Sequence, residues 1–346
     1  MIRFLVFSLG LAAALLVSSA LLSARSGVDY PRASIIERDP EIDPALVASL
    51  AEAEPDLVLL GNSMLGEGVD ETLFSSLMGT KTYKLGINGA ASAVWYLVIK
   101  NVIAPMDDPP ESVILFFRDS FLTQPGFRVD GKYFAKVERY AGPDETLLDR
   151  LAYLDGMSPS SYLATKWLPL FGDREKIREE IVGTAKFGVP SRLMGTDSLT
   201  VELAIAGTFA DSNMNTQLLT AAQLAAEKSP KDQSHFDFRL AVEKSFLPEM
   251  VRILREKDID LVLVRVKRRR DLNPNSRPAE LETYIEDLSE YLASRGAPFL
   301  DYTDETTLAP EHFGEGDHLN EHGRDIFTRL LARDLRSLET ANGGGG

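Results

Sequence analysis

No cysteine occurs among the 346 residues. That removes disulfides, thiolate nucleophiles, Cys-ligated zinc or iron–sulfur centres and lipid attachment at a cysteine, and it suits an oxidising compartment, where a stray thiol is a liability. Positive charge is also short: 37 Lys+Arg against 52 Asp+Glu leave a formal net charge of −15. A nucleic-acid binder needs a basic face to displace condensed counterions, so that class is excluded. Histidine is scarce, with four in the chain: His235, His312, His318 and His322. Long apolar runs are absent apart from residues 4–24, which excludes a polytopic membrane protein. A hydrophobic content of 44% and a charged content of 26% are ordinary for a globular chain and exclude wholesale disorder. The length accommodates one large or two modest domains, at roughly 100–200 residues each.

Residues 4–24 form 21 consecutive positions without a charge, preceded by Arg3 and followed by Arg25. As a helix this run spans roughly 30 Å, the thickness of a bilayer's hydrocarbon core. It reads as an uncleaved single-pass anchor in the inner membrane or as a cleaved signal with Ser18-Ser19-Ala20 at its exit. Either way the bulk of the chain is expected outside the cytoplasm, periplasmic if anchored and secreted if cleaved. Arg3 and Arg25 nearly balance, so charge does not fix the orientation.

Residues 26–54 read as a linker ending in a short helix at 44–54, and residues 55–340 as the folded domain, with a tail at 341–346. Compact apolar runs at 56–60, 82–87, 113–117, 259–266 and 298–302 have the pattern of strands buried on both faces. Helical patterns at 92–103, 238–256 and 279–294 separate several of them, and a last helix carries Ile326, Phe327, Leu330, Leu331 and Leu335 on one stripe. Such alternation predicts an α/β fold, a three-layer α/β/α parallel sheet. Residues 120–237 break the alternation. They read as a largely helical insertion, with helices at 147–154, 162–171, 175–184 and 216–226 and loops at 172–173 and 188–190.

Three blocks sit where chemistry is done in such sheets. Gly61-Asn62-Ser63 follows the first strand, at the end where open α/β sheets place ligands. The plain alternative is that Asn62 or Ser63 is a turn or N-cap residue. Gly86-Ile87-Asn88-Gly89-Ala90-Ala91-Ser92 follows the second strand, and its small residues let backbone approach a ligand or simply form a turn capped by Ser92. Three histidines cluster at 312–322, with Glu315 and Asp317 beside His318. A serine hydroxyl needs a base to take its proton, and the base needs a carboxylate to fix its tautomer. Ser63, His318 and one of those acids supply the parts. A metal site is the other use of three histidines, although their spacing does not match a helical His-Glu-x-x-His site. Trp95, Tyr96 and Trp167 are candidates for stacking on sugars, with helical packing as the plainer role.

These blocks resemble the SGNH (GDSL-type) hydrolase superfamily: Gly-Asn-Ser after strand one, a glycine block after strand two, and His318-Leu319-Asn320-x-x-Gly323 before the last helix. The resemblance covers residues 55–118 and 258–338. It implies Ser63 as nucleophile, His318 as base, and backbone N–H groups of Ser63 and Gly89 as oxyanion donors, with Asn62 and Asn88 lining the substrate. Two departures stand out. The family's third block ends Gly-x-Asn-Asp, whereas this chain reads Phe116-Phe117-Arg118-Asp119. Arg118 therefore stands where an oxyanion Asn belongs, either to hold an anion or to pair with Asp119. The family's triad acid is an Asp three residues before the histidine; Glu315 holds that position and Asp317 is the alternative.

Arg265 and the run Lys267-Arg268-Arg269-Arg270 end the fourth strand. Arg268 and Arg269 are candidates for binding an anionic substrate such as a uronate or phosphate polymer; the plainer reading is a solvated loop or one that pairs with the acidic surface. The layout is similar to anchored SGNH-like proteins that work beside membrane-bound O-acyltransferases, of the DltD and alginate-acetylation types. By that resemblance the chain is an envelope-facing serine esterase or O-acyltransferase acting on a surface glycan. The rival reading is a catalytically silent scaffold for an acyltransferase or polysaccharide export machinery. No metal or organic cofactor is implied.

Overall fold

A computed structural model describes residues 42–129, 133–155, 236–273 and 277–343, with short pieces at 158–160, 189–195, 197 and 200–201 and single positions at 10, 13, 17, 163 and 167. The expected anchor therefore lies outside the described residues, apart from Gly10, Ala13 and Val17. Among the described residues no helix is long and apolar enough to cross a membrane.

Five parallel strands make one sheet: β1 (Leu57–Gly61), β2 (Thr82–Gly86), β3 (Ser112–Phe117), β4 (Asp260–Arg265) and β5 (Phe299–Asp301), in the order β2-β1-β3-β4-β5. Strand alternation sends Val58, Leu60, Val113, Leu115 and Phe117 to one face and Leu57, Leu59, Ile114 and Phe116 to the other. The first face is covered by α1 (Pro44–Ala53), α4 (Ser92–Val98), α5 (Leu247–Glu256) and α6 (Ala279–Ala293), through Leu50, Trp95, Met250 and Tyr284. The second is covered by α2 (Ser63–Gly68), α3 (Glu71–Met78) and α7 (Glu321–Gly343), through Leu65, Phe74, Phe327 and Leu331. This is the expected three-layer α/β/α fold. Both faces being dry explains why β1 and β3 read as unbroken apolar runs.

Strand order reverses direction between β1 and β3, so the crevice beyond their C-terminal ends is a topological switch point. Ser63 and Arg118 both stand there.

Several expected elements differ in detail. The 92–103 pattern is α-helical only to Val98 and continues as a π turn over Ile99–Ile103, closed by the Ala104 N–H on the Ile99 carbonyl at 2.9 Å. Ser92 is not the cap of that helix; Ala91 holds the cap position, and the Ser92 hydroxyl donates to the Gln124 carbonyl at 3.2 Å. The 238–256 pattern is broken at Ser245, whose backbone is extended and whose hydroxyl accepts the Leu247 N–H at 3.3 Å. Of the expected loop at 188–190, Val189 and Pro190 instead start a helix at Val189–Met194, and position 188 lies outside the described residues; proline in a first turn costs no hydrogen bond. Of the insertion helices, 147–154 is found as a short helix at Thr146–Leu148 and a π turn at Asp149–Leu154. Those at 162–171, 175–184 and 216–226, and the loop at 172–173, lie outside the described residues save Leu163 and Trp167.

Candidate active site

Ser63 is the first residue of α2, and its N–H is one of the donors that a helix start leaves without an intrahelical acceptor. Asn62, expected to touch substrate, is buried and caps α2: its Oδ1 accepts the Met64 N–H at 2.9 Å, while its carbonyl accepts Leu65 and Gly66 N–H at 3.0 Å each. A cluster of glycines lets α2 sit this low on the sheet. A Cβ on Gly86 would lie 2.6 Å from the Gly66 Cα, and one on Gly61 would lie 2.9 Å from the Leu65 Cβ. Lys84 on β2 reaches the far end of α2 and donates to the Gly66 and Val69 carbonyls at 3.1 and 2.8 Å. Burial, opposed by Glu71, holds the Lys84 pKa below the ordinary lysine value.

His318 arrives from the opposite edge of the crevice. Its loop is a tight turn in which the His318 N–H donates to the Glu315 carbonyl at 3.1 Å and Gly316 adopts φ +61°. The Gly314 N–H returns to the His318 carbonyl at 2.8 Å. Asn320 then starts α7: its side chain accepts the Gly323 N–H at 2.9 Å and donates to the Glu311 carbonyl at 2.6 Å. Gly323 passes so close to the His312 carbonyl that a Cβ there would lie 2.2 Å from it. Asn320 and Gly323 thus have structural reasons for standing in the His-Leu-Asn-x-x-Gly block.

The outcome is a contact between groups 255 positions apart: His318 Nε2 stands 2.9 Å from Ser63 Oγ. On the other side of the ring, Nδ1 stands 3.4 Å from Glu67 Oε2. Sequence reasoning missed Glu67. Neither expected acid takes that place. The Asp317 carboxylate turns away to Arg118, Nη1 to Oδ2 at 2.5 Å, because adjacent side chains on a turn diverge. Glu315 is exposed, and its tie to His318 runs through its backbone carbonyl.

Gly89 sits in the left-handed region at φ +76° beside the same crevice, with Tyr133 packed against it. Asn88 is exposed, and its carbonyl accepts from Lys136 Nζ. Arg118 does not pair with Asp119. It is committed to Asp317, with its guanidinium 5.5 Å over the Phe121 ring. Asp119, at φ +52°, pairs with Arg268 instead.

Arg268 and Arg269 do not form an exposed substrate-binding patch, and of the run around them Arg270 is the half-buried member. Arg265, Lys267, Arg268 and Arg269 are all buried. Arg268 donates to Asp271 at 2.9 and 3.1 Å and pairs with Asp119; Arg265 meets Asp301 at 2.9 Å. Lys267 donates to the Glu305 carbonyl, and Arg269 to the Gly314 carbonyl at the base of the His318 loop. The loop after β4 turns inward beneath the histidine loop, and buried cations must be paired there. The run braces the site from below.

The other sequence candidates separate. His312 and His322 pack edge to face at 5.1 Å, and His312 Nδ1 accepts the Ala309 N–H at 3.0 Å. Among the described residues no three His, Cys, Asp or Glu side chains are grouped as a metal ion requires; His235 lies outside them. Trp95 and Tyr96 are buried, Tyr96 stacked on Phe246 at 4.9 Å, so neither faces a sugar. Trp167 is exposed.

No protein-family model matches the chain, and no curated protein matches it. Solved structures do match at low similarity. A protein described as an acylhydrolase from Bacteroides fragilis has 12% identity, covering 82% of this chain and 86% of its own, with a TM-score of 0.37. A GDSL-like lipase from Bacteroides thetaiotaomicron has 12% identity, covering 85% and 96%, with a TM-score of 0.39. A protein described as an arylesterase from Agrobacterium tumefaciens has 12% identity, covering 81% and 98%, with a TM-score of 0.32. At that similarity the fold and the site rest on this chain's own geometry.

Proposed function

We propose that the chain is an SGNH-type serine acyl-transfer enzyme, an esterase or O-acyltransferase, with Ser63 as nucleophile and His318 as general base. The observation that carries this reading is the 2.9 Å approach of His318 Nε2 to Ser63 Oγ. For Nε2 to accept, the ring proton must sit on Nδ1. As Oγ attacks the ester carbonyl, its proton passes to Nε2, and the carbonyl oxygen becomes an oxyanion facing the Ser63 and Gly89 N–H groups. His318 then protonates the departing alkoxide. Water or a sugar hydroxyl attacks the acyl-serine, giving the acid or a new ester and restoring the Ser63 hydroxyl. An envelope setting, with an acylated surface glycan as substrate and a membrane acyltransferase as partner, is supported by the charge-free run at 4–24 and the missing cysteine.

One observation favours the silent-scaffold alternative: Arg118 stands where an oxyanion Asn is expected and is committed to Asp317. The full-length chain should hydrolyse p-nitrophenyl acetate, Ser63→Ala should lose that activity, and a fluorophosphonate should add its mass to the peptide containing Ser63. Equal turnover by the two proteins and no adduct would establish the scaffold.

A further inference from the structure

We infer that Glu67 is the positioning carboxylate of His318, so that nucleophile and acid are carried by one helix while the histidine loop supplies only the base. The inference rests on the reading of Ser63 and His318 given above. Ser63 and Glu67 are four residues apart on α2, and side chains at that spacing share a face with about 5–6 Å between their Cβ atoms. An imidazole lying along that face meets one group with each nitrogen, which is the arrangement found: Nε2 at 2.9 Å from Ser63 Oγ and Nδ1 at 3.4 Å from Glu67 Oε2.

The carboxylates around the crevice leave this role to Glu67. Asp317 is held by Arg118, and Glu315 points to solvent. Asp70 caps α3 by accepting the Leu73 N–H at 2.9 Å, and Glu71 accepts the Lys84 N–H at 2.9 Å. The two departures from the family pattern are therefore one feature. With Arg in place of Asn at the end of β3, a neighbouring acid is needed to neutralise it. Asp317 does so, and the histidine takes its acid from α2. The helix is held to that task at both ends, by Asn62 at its start and by Lys84 on its last carbonyls.

The test compares Glu67→Gln, Glu67→Ala and Glu315→Gln in the full-length chain. Its readouts are kcat and KM on p-nitrophenyl acetate, the rate of fluorophosphonate addition to Ser63, and the far-downfield proton resonance of a carboxylate-bonded His318 Nδ1–H. Both Glu67 variants should lower kcat and the labelling rate by about 10²-fold with KM nearly unchanged; this is less than the ~10⁴-fold of a buried triad acid, because the Glu67 side chain is 52% exposed. The downfield resonance should vanish in both and persist in Glu315→Gln, which should keep wild-type rates. Wild-type kcat in both Glu67 variants, a loss confined to KM, or the loss appearing in Glu315→Gln instead would overturn the inference while leaving Ser63 and His318 standing. A wild-type chain that fluorophosphonate does not label at Ser63 would overturn the underlying reading, and this inference with it.

Discussion

Gly89 shows how narrowly the crevice is built. At φ +76° an L side chain is strained by about 1–2 kcal/mol, and a Cβ would lie 2.8 Å from the Tyr133 Cε1. Gly89→Ala should therefore push either the 86–92 turn or Tyr133 out of place. The expected result is a kcat on p-nitrophenyl acetate reduced at least about 10-fold, with stability in urea lower by about 1–2 kcal/mol. Adding Tyr133→Ala should recover part of the stability but little of the rate, since the backbone strain remains. Full recovery of both would mean that only the Tyr133 clash matters. The meeting of Ser63 and His318 was legible in the sequence because each stands at a fixed place relative to a strand end or a helix start. Glu67 was not, because an exposed acid four positions after a serine looks like any solvated helix residue. The substrate role for Arg268 and Arg269 fails for the opposite reason: a run of cations looks like surface, and even its pairing with acids is not placed inside until Asp119, about 150 positions earlier in the chain, is brought to it.

Among the elements, the loop after β4 carries the most concentrated electrostatics. Burial raises the Asp271 pKa, but the Arg268 hydrogen bonds and charge, with help from the Arg268 N–H and Arg265, outweigh it and hold the carboxyl below its ordinary value. A depressed carboxylate contributes stability that is complete above its unfolded pKa of about 3.9 and lost as pH falls through the folded value. Asp271→Asn should therefore cost about 3–5 kcal/mol at pH 7, because Arg268 is left buried with Asp119 alone. The gap between variant and wild type in urea should narrow below about pH 4. A gap that is independent of pH would mean that packing, not charge, is lost. The same scale explains which elements the sequence disclosed. An apolar run ending in Gly61 marked β1; the 82–87 run is not buried on both faces as expected, since β2 is an edge strand with Thr82, Tyr83 and Lys84 half-buried, and the strand bounds moved by a residue or so. The break at Ser245 and the π turn after Val98 were hidden, because apolar residues keep a helical period through them and only hydrogen-bond geometry distinguishes them.

For the whole molecule, burial of the cationic run changes what the net charge of −15 means to a substrate. Four of the positive charges, at Arg265, Lys267, Arg268 and Arg269, lie inside, and Asp119, Asp271 and Asp301 neutralise much of them on the spot. The mouth of the crevice carries Glu67 and Glu315 exposed against Lys136 at the Asn88 carbonyl, while Arg118 is matched by Asp317. A neutral ester is indifferent to the field of the −15 chain, whereas one bearing a carboxylate is repelled by it. The repulsion must weaken with salt, since the screening length falls from about 30 Å at 0.01 M to about 10 Å at 0.1 M. Between those concentrations kcat/KM for p-nitrophenyl succinate should rise at least about 3-fold while that for p-nitrophenyl acetate stays level. Glu67→Gln should flatten the rise only slightly, because the field belongs to the whole acidic surface rather than to one side chain. If the anionic ester instead loses activity as salt is added, a local cationic group such as Lys136 must guide it, and the acidic field of the whole chain does not govern how substrate enters.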